Sequence, residues 1–144
     1  MPSEFKIVRQ VEFSETDMAG LMHFSNFFRF METAEHAFFR SLGYSIHGEV
    51  AGRKVGWPRV HAECDYKRPL RFEDKVEVEL RVLERNEKTL RYEFTFRKLS
   101  DVGSEIAARG ELVVACVSYE PGKPLKAIPI PKELADKIEP APAK

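Results

Sequence analysis

The chain has 144 residues, 43 % of them apolar, and its 23 Lys and Arg are balanced by 23 Asp and Glu. That describes one folded domain, residues 1–144, and excludes a disordered tail or a repeat array. A net charge of zero argues against a phosphate-backbone partner, so no nucleic acid is expected.

Met1 to Lys6 has no apolar leader, and no stretch approaches the roughly 18 apolar residues of a membrane span, so a cytoplasmic protein without membrane insertion is expected. From Phe5 to Phe13 the odd positions Phe5, Ile7, Val11 and Phe13 alternate with polar ones, with Arg9 and Val8 as exceptions, which predicts a half-buried strand. Turn and cap formers follow over Ser14 to Gly20. Phe24 to Leu42 is the long helical segment, opened by the capping types Ser25 and Asn26 and closed by Gly43. Phe27, Met31, Ala34, Phe38 and Leu42 form its apolar stripe, widened by Phe28, Phe30, Ala37 and Phe39 until the helix must be wrapped.

The wrapping strands come next. Val60 to Tyr66, Val76 to Val82 and Leu90 to Phe96 each alternate apolar with polar residues, predicting one wet face. Ile106 to Ser118 is apolar on both sides, as expected of a central or interface strand. The short links at Asn86 to Thr89 and Ser100 to Gly103 favour antiparallel hairpins. Cys64 and Cys116 form no C-x-x-C pair and read as small core residues, so neither a disulfide scaffold nor a metal site is expected. Gly43 to Pro58 reads as a loop, and a Pro-rich tail from about residue 121 as mostly extended with a helical turn at Lys132 to Ile138. The pattern is α+β: one long helix wrapped by a curled antiparallel sheet of about five strands.

The strand-to-helix junction, Asp17 to Phe24, places a carboxylate beside a helix N-terminus. Unpaired N–H groups of a first helical turn polarise a carbonyl oxygen or bind an anion, and Asp17 beside them is positioned to attack that carbonyl or to activate water. The same residues also fit a solvated turn.

Asp17-x-x-Gly20 followed by Phe24, Asn26-Phe27 and Glu32-x-Ala34 resembles the active-site segment of hotdog-fold acyl-CoA thioesterases of the 4-hydroxybenzoyl-CoA thioesterase type. Asp65-Tyr66-Lys67-Arg68-Pro69, with Asp74 five residues on, is similar to the D-Y-x-x-P-x-x-x-x-D stretch of that family, and Glu105-x-x-Ala108-x-Gly110 to its last strand. The three matches, in order, span nearly the whole chain. The resemblance implies the hotdog fold and hydrolysis of an acyl- or aryl-CoA thioester without any cofactor besides the coenzyme A of the substrate. Asp17 is then nucleophile or general base, the Phe24 backbone N–H holds the developing oxyanion, and Gly20 lets the backbone approach the substrate. It also implies a homodimer or homotetramer with the substrate site shared between subunits.

Further substrate contacts are expected from His23, Asn26, Phe27, Glu32 and Trp57, with Lys67, Arg68 and Arg71 toward the coenzyme A phosphates. His23-Phe24 departs from many members, which carry an aromatic residue followed by His. Glu35 falls on the apolar side of the helix, where an unpaired charge is costly, so it is expected to pair with a nearby base or to reach the sheet rim. Two other readings compete: a non-catalytic hotdog module that binds acyl-CoA or a fatty acyl group, against which Asp17 counts, and a hydratase, whose G-D-x-N-P-x-H pattern the chain lacks.

Overall fold

In a computed structural model, described over residues 4–142, the chain passes from one strand into the long helix and then into the remaining strands. Strand β1 (Glu4–Gln10) is followed by a 3-10 turn at Phe13–Glu15, helix α1 (Ser25–Ser41), and the strands β2 (Gly48–Val50), β3 (Arg53–Gly56), β4 (Arg59–Tyr66), β5 (Lys75–Arg85), β6 (Thr89–Ser100) and β7 (Gly103–Ala115). Two short strands, β8 (Val117–Ser118) and β9 (Lys126–Ala127), and helix α2 (Lys132–Ala135) complete it. The main sheet has the order β1-β5-β6-β7-β4, and every pairing in it is antiparallel. Its concave face wraps α1, as the sequence predicts.

The helix forms where its apolar stripe finds that sheet. Phe27, Phe30, Met31, Ala34, Phe38 and Phe39 are buried, against inward residues such as Val78, Leu80, Tyr92, Phe94 and Phe96. Gly43, at φ +93°, ends the helix: its N–H donates to the Arg40 carbonyl and that of Tyr44 to the Phe39 carbonyl, the double closure that a left-handed residue permits. At the other end the expected side-chain caps Ser25 and Asn26 are replaced by Phe24 in the cap position, with no cap bond from its own side chain. Gly110 on β7 brings helix and sheet close, because a Cβ there would lie 2.2 Å from the Met31 methyl and 3.0 Å from the Glu63 carbonyl. Gly110→Val is therefore expected to cost about 1–3 kcal/mol of stability, read by chemical denaturation, whereas Gly20→Ala is strained by its own φ of +80° and meets no neighbouring atom.

Several expectations are corrected. The first strand stops at Gln10, and Phe13 lies 77 % exposed in the 3-10 turn, since the chain turns there toward the helix. The Arg9 exception has a cause: its guanidinium lies 4.5 Å over the Phe30 ring and donates to Thr33 and Glu15. The outer face of β5 and β6 is not simply wet, because Glu79, Arg81 and Thr95 are buried. Arg97 pairs with Glu77 and Glu79, and Arg81 with Glu4 and Glu93.

The Gly43 to Pro58 segment is not a plain loop. It holds the β2–β3 hairpin, closed by Ala51 and Gly52 at φ +54° and +77°, the geometry of a two-residue reverse turn. This hairpin joins β8 and β9 in a second sheet of order β2-β3-β8-β9. The strand expected to run unbroken from Ile106 to Ser118 instead breaks at Cys116 and changes sheets there. The tail carries its helical turn as expected, at Lys132–Ala135, and it also packs down: Ile128, Ile130, Leu134 and Ile138 are buried, and Arg85 donates to the carbonyls of Ala135 and Ile138. It straps the end of the core beyond the helix C-terminus, where Lys137 reaches the Leu42 carbonyl.

Candidate active site

The Asp17 loop is built by its own backbone. The Asp17 N–H donates to the Leu21 carbonyl at 2.8 Å and the Gly20 N–H to the Asp17 carbonyl at 3.0 Å, which requires the positive φ of Gly20. Within that turn Asp17 Oδ1 accepts the Ala19 N–H at 2.9 Å and the Leu21 N–H at 3.2 Å. One carboxylate oxygen is thus anchored and the other directed outward from an exposed residue.

The helix start is pinned equally closely. The His23 N–H donates to Glu15, and the His23 carbonyl accepts the Asn26 N–H at 2.9 Å. Because the peptide is planar and trans, fixing the His23 carbonyl toward the helix aims the Phe24 N–H the opposite way, off the helix end. Among the described residues that N–H has no acceptor. It stands at the positive end of a 17-residue helix, where a carbonyl oxygen gaining negative charge is stabilised.

Asp17 and Phe24 line one cleft of about 380 Å³. Leu21, Met22, Phe27, Tyr66 and Leu70 supply its apolar walls, and Lys67 and Arg68 its basic rim. The Lys67 and Arg68 N–H groups both donate to the Ala107 carbonyl, and the Met22 N–H to Leu70, so the β4–β5 connection is stitched to the Asp17 loop. Arg68 also pairs with Glu105 at 3.2 Å.

Of the expected site residues, the structure therefore brings together Asp17, Phe24, Phe27, Lys67 and Arg68. Gly20 shapes the turn, and open space surrounds its Cα, so the turn and not crowding calls for glycine. His23 acts on the helix instead: its Nδ1 accepts the Ser25 N–H and lies 2.8 Å from the Ser25 hydroxyl, standing in for the missing cap. Asn26 turns away from the cleft, its amide donating to the Glu15 carbonyl at 2.8 Å. Arg71 lies beyond the cleft, its N–H donating to Asp74. Trp57 is a core residue, 6 % exposed and edge-on to Phe39. Glu32 pairs with Arg59 at 3.2 Å.

The basic partner that Glu35 needs is also Arg59, which grips its two oxygens at 2.6 and 3.3 Å. Glu35 is fully buried, and desolvation holds its carboxyl above the ordinary 4.5 although Arg59 pulls it down. Nearby, burial and that carboxylate keep the Tyr92 hydroxyl protonated. The cleft residues that sequence reading missed as site residues are the apolar Leu21, Met22, Pro69 and Leu70 and, with a hydroxyl to offer, Tyr66. The alternation of its strand and its place beside Asp65 mark it, but neither tells that β4 ends against the helix N-terminus.

The thioesterase-like superfamily matches residues 11–138. The chain belongs to that superfamily. A relative from Aquifex aeolicus (strain VF5), provisionally named an esterase, is 32 % identical over 133 residues, covering 91 % of this chain and 94 % of the other. A 1,4-dihydroxy-2-naphthoyl-CoA hydrolase of Synechococcus elongatus is 33 % identical over 79 residues, 54 % of this chain and 58 % of that one, so this match spans little more than half of that hydrolase. The 4-hydroxybenzoyl-CoA thioesterase of Pseudomonas sp. strain CBS-3 superposes with a TM-score of 0.83 at 18 % identity, over 94 % of this chain and 99 % of the other, a likeness of fold. The resemblance, the hotdog fold and the thioesterase class expected from the sequence are thereby borne out.

Proposed function

We propose that this thioesterase hydrolyses an acyl- or aryl-CoA thioester to the free acid and coenzyme A, with Asp17 and the Phe24 N–H as its reacting groups. The observation that carries the reading is their convergence on one apolar cleft. A thioester carbonyl oxygen set on the Phe24 N–H turns its carbon toward the outward oxygen of Asp17. In one route Asp17 attacks that carbon, the C–S bond breaks, the thiolate takes a proton, and water hydrolyses the resulting anhydride. In the other, Asp17 takes a proton from water as its oxygen attacks, and that proton ends on the departing thiolate. Both routes pass through an oxyanion, and a donor placed for it is worth on the order of 10²–10³ in rate. Lys67 and Arg68 at the rim suit the coenzyme A phosphates, and the apolar walls at Phe27 and Leu70 the acyl group. The reading calls on no metal or organic cofactor.

The working unit in this reading is a homo-oligomer. β4 is an outer strand of the main sheet, and its Val60 is 60 % exposed, an unpaired apolar edge suited to a second copy. Among the described residues no helix is long and apolar enough to cross a membrane, and the setting proposed is the cytoplasm.

Thiol release from a panel of short, long and aromatic acyl-CoAs tests the proposal. Saturable turnover on one class is expected. Saturable binding across the panel without thiol release would replace hydrolysis by a binding role.

A further inference from the structure

We propose that Tyr66 is a positioning residue of the reaction: its hydroxyl locks the Phe24 backbone so that the Phe24 N–H stays aimed into the cleft. The inference rests on the hydrolytic reading above and adds to it a residue whose role no motif spacing reveals.

Phe24 is an unusual residue to carry an oxyanion donor. It occupies the cap position in helical conformation, φ −56° and ψ −31°, yet its side chain has no group with which to cap, and its ring is 62 % exposed. Its ring packs on the neighbouring His23 ring, centroids 4.6 Å apart, and reaches no hydrogen-bond partner. Its orientation comes from the two peptide planes on either side of its Cα. The preceding plane is held by the His23 carbonyl, which accepts the Asn26 N–H. In the following plane the Ser25 N–H donates to His23 Nδ1 at a long 3.3 Å, and the Phe24 carbonyl accepts the Phe27 N–H at an even longer 3.4 Å. Besides the bonds of the helix itself, the Tyr66 hydroxyl donates to the Phe24 carbonyl at 3.2 Å from a strand 42 residues away. Among the described residues it is the one tie in that plane that comes from outside the helix and the loop leading into it.

The ring is itself well placed to hold that hydroxyl. Tyr66 meets Phe27 edge-on at 5.0 Å, and Phe27 meets Phe96 at 5.2 Å, so a chain of aromatic contacts runs from the cleft wall into the core. Desolvation keeps the hydroxyl above its ordinary 10, so it remains a donor at neutral pH.

Tyr66→Phe keeps the ring and removes only the tie. Loss of one ordinary hydrogen bond predicts a fall in kcat of about 3- to 10-fold, with KM within about 2-fold of wild type and an unchanged melting temperature. A structural readout independent of turnover accompanies it: the ¹⁵N order parameter of the Phe24 amide is expected near 0.85 in the wild type and below about 0.7 in the variant. An unchanged kcat, or a rise in KM alone, overturns the inference, the latter because it makes Tyr66 a substrate contact instead. An unchanged order parameter overturns it as well. Absence of turnover in the wild type counts against the hydrolytic reading, and the order parameter still decides whether Tyr66 holds Phe24.

Discussion

Asp17→Asn is expected to lower kcat by about 10²–10⁴-fold and to leave the melting temperature within about 2 °C of wild type. The geometry of the turn separates the two effects. Asp17 Oδ1 accepts the Ala19 and Leu21 N–H groups, and an amide oxygen can take both, so the loop closes as before. The outward position then carries an NH₂, which neither attacks a carbonyl nor takes a proton from water. Asp17→Ala removes the acceptor too, but the residue is exposed and water satisfies both donors at small cost. Steady-state thiol release beside a thermal melt checks this. A folded Asp17→Asn protein retaining more than a tenth of wild-type kcat would remove Asp17 from the chemistry.

Arg59→Met is expected to cost about 3 kcal/mol at pH 7, the lower end of what unpairing a buried charge costs because the Arg59 side chain keeps 26 % exposure. The loss should depend on pH. Burial already holds Glu35 above the ordinary 4.5, and without Arg59 nothing comparable pulls it down. An acid whose folded pKa is raised has its full stabilisation below the unfolded value and loses it as pH rises through the folded one. The deficit of the variant is therefore greatest near neutrality and shrinks as pH falls toward 4.5. Adding Glu35→Gln should recover much of the loss at pH 7. Denaturant titrations from about pH 4.5 to 8 measure this directly, and a deficit flat with pH would mean that Arg59 acts through packing rather than through Glu35.

Arg59 and Tyr66 lie at opposite ends of one strand. β4 forms an outer edge of the sheet, yet Arg59 ties its start to Glu35 and Glu32 in α1, and Tyr66 ties its end to the helix N-terminus. A register shift between Arg59 and His61 marks a bulge at the Arg59 end, a local departure that redirects a side chain from a strand. Stability at one end and positioning at the other thus share an element that the hydrophobic core alone would hold weakly.

The parts of the fold legible in the sequence are those with long, regular patterns. The apolar stripe of α1, its glycine stop and the alternation of β5 and β6 each repeat often enough to decide an element. The β2–β3 hairpin was hidden because its strands are three and four residues long and its turn uses Ala51, a residue that seldom adopts a positive φ. The packing of the tail is not legible, because the burial of its four apolar residues depends on a core end formed by distant strands. Asp17 stands out locally as a carboxylate beside a helix start, whereas the role of the Phe24 N–H comes from the family resemblance. Trp57 and Tyr66 are not legible in that way: aromatic content marks burial or a binding wall equally well, and only the tertiary path of the chain tells which.

The central claim is that one cleft presents Asp17 and the Phe24 N–H to the two sides of a thioester carbonyl. The most direct measurement is a crystal structure with an aryl-CoA ketone analogue, in which a methylene separates the carbonyl from sulfur. The account predicts the carbonyl oxygen roughly 2.7–3.1 Å from the Phe24 nitrogen and the carbonyl carbon facing the free oxygen of Asp17. A carbonyl bound away from Phe24, with Asp17 still turned to solvent, would contradict it.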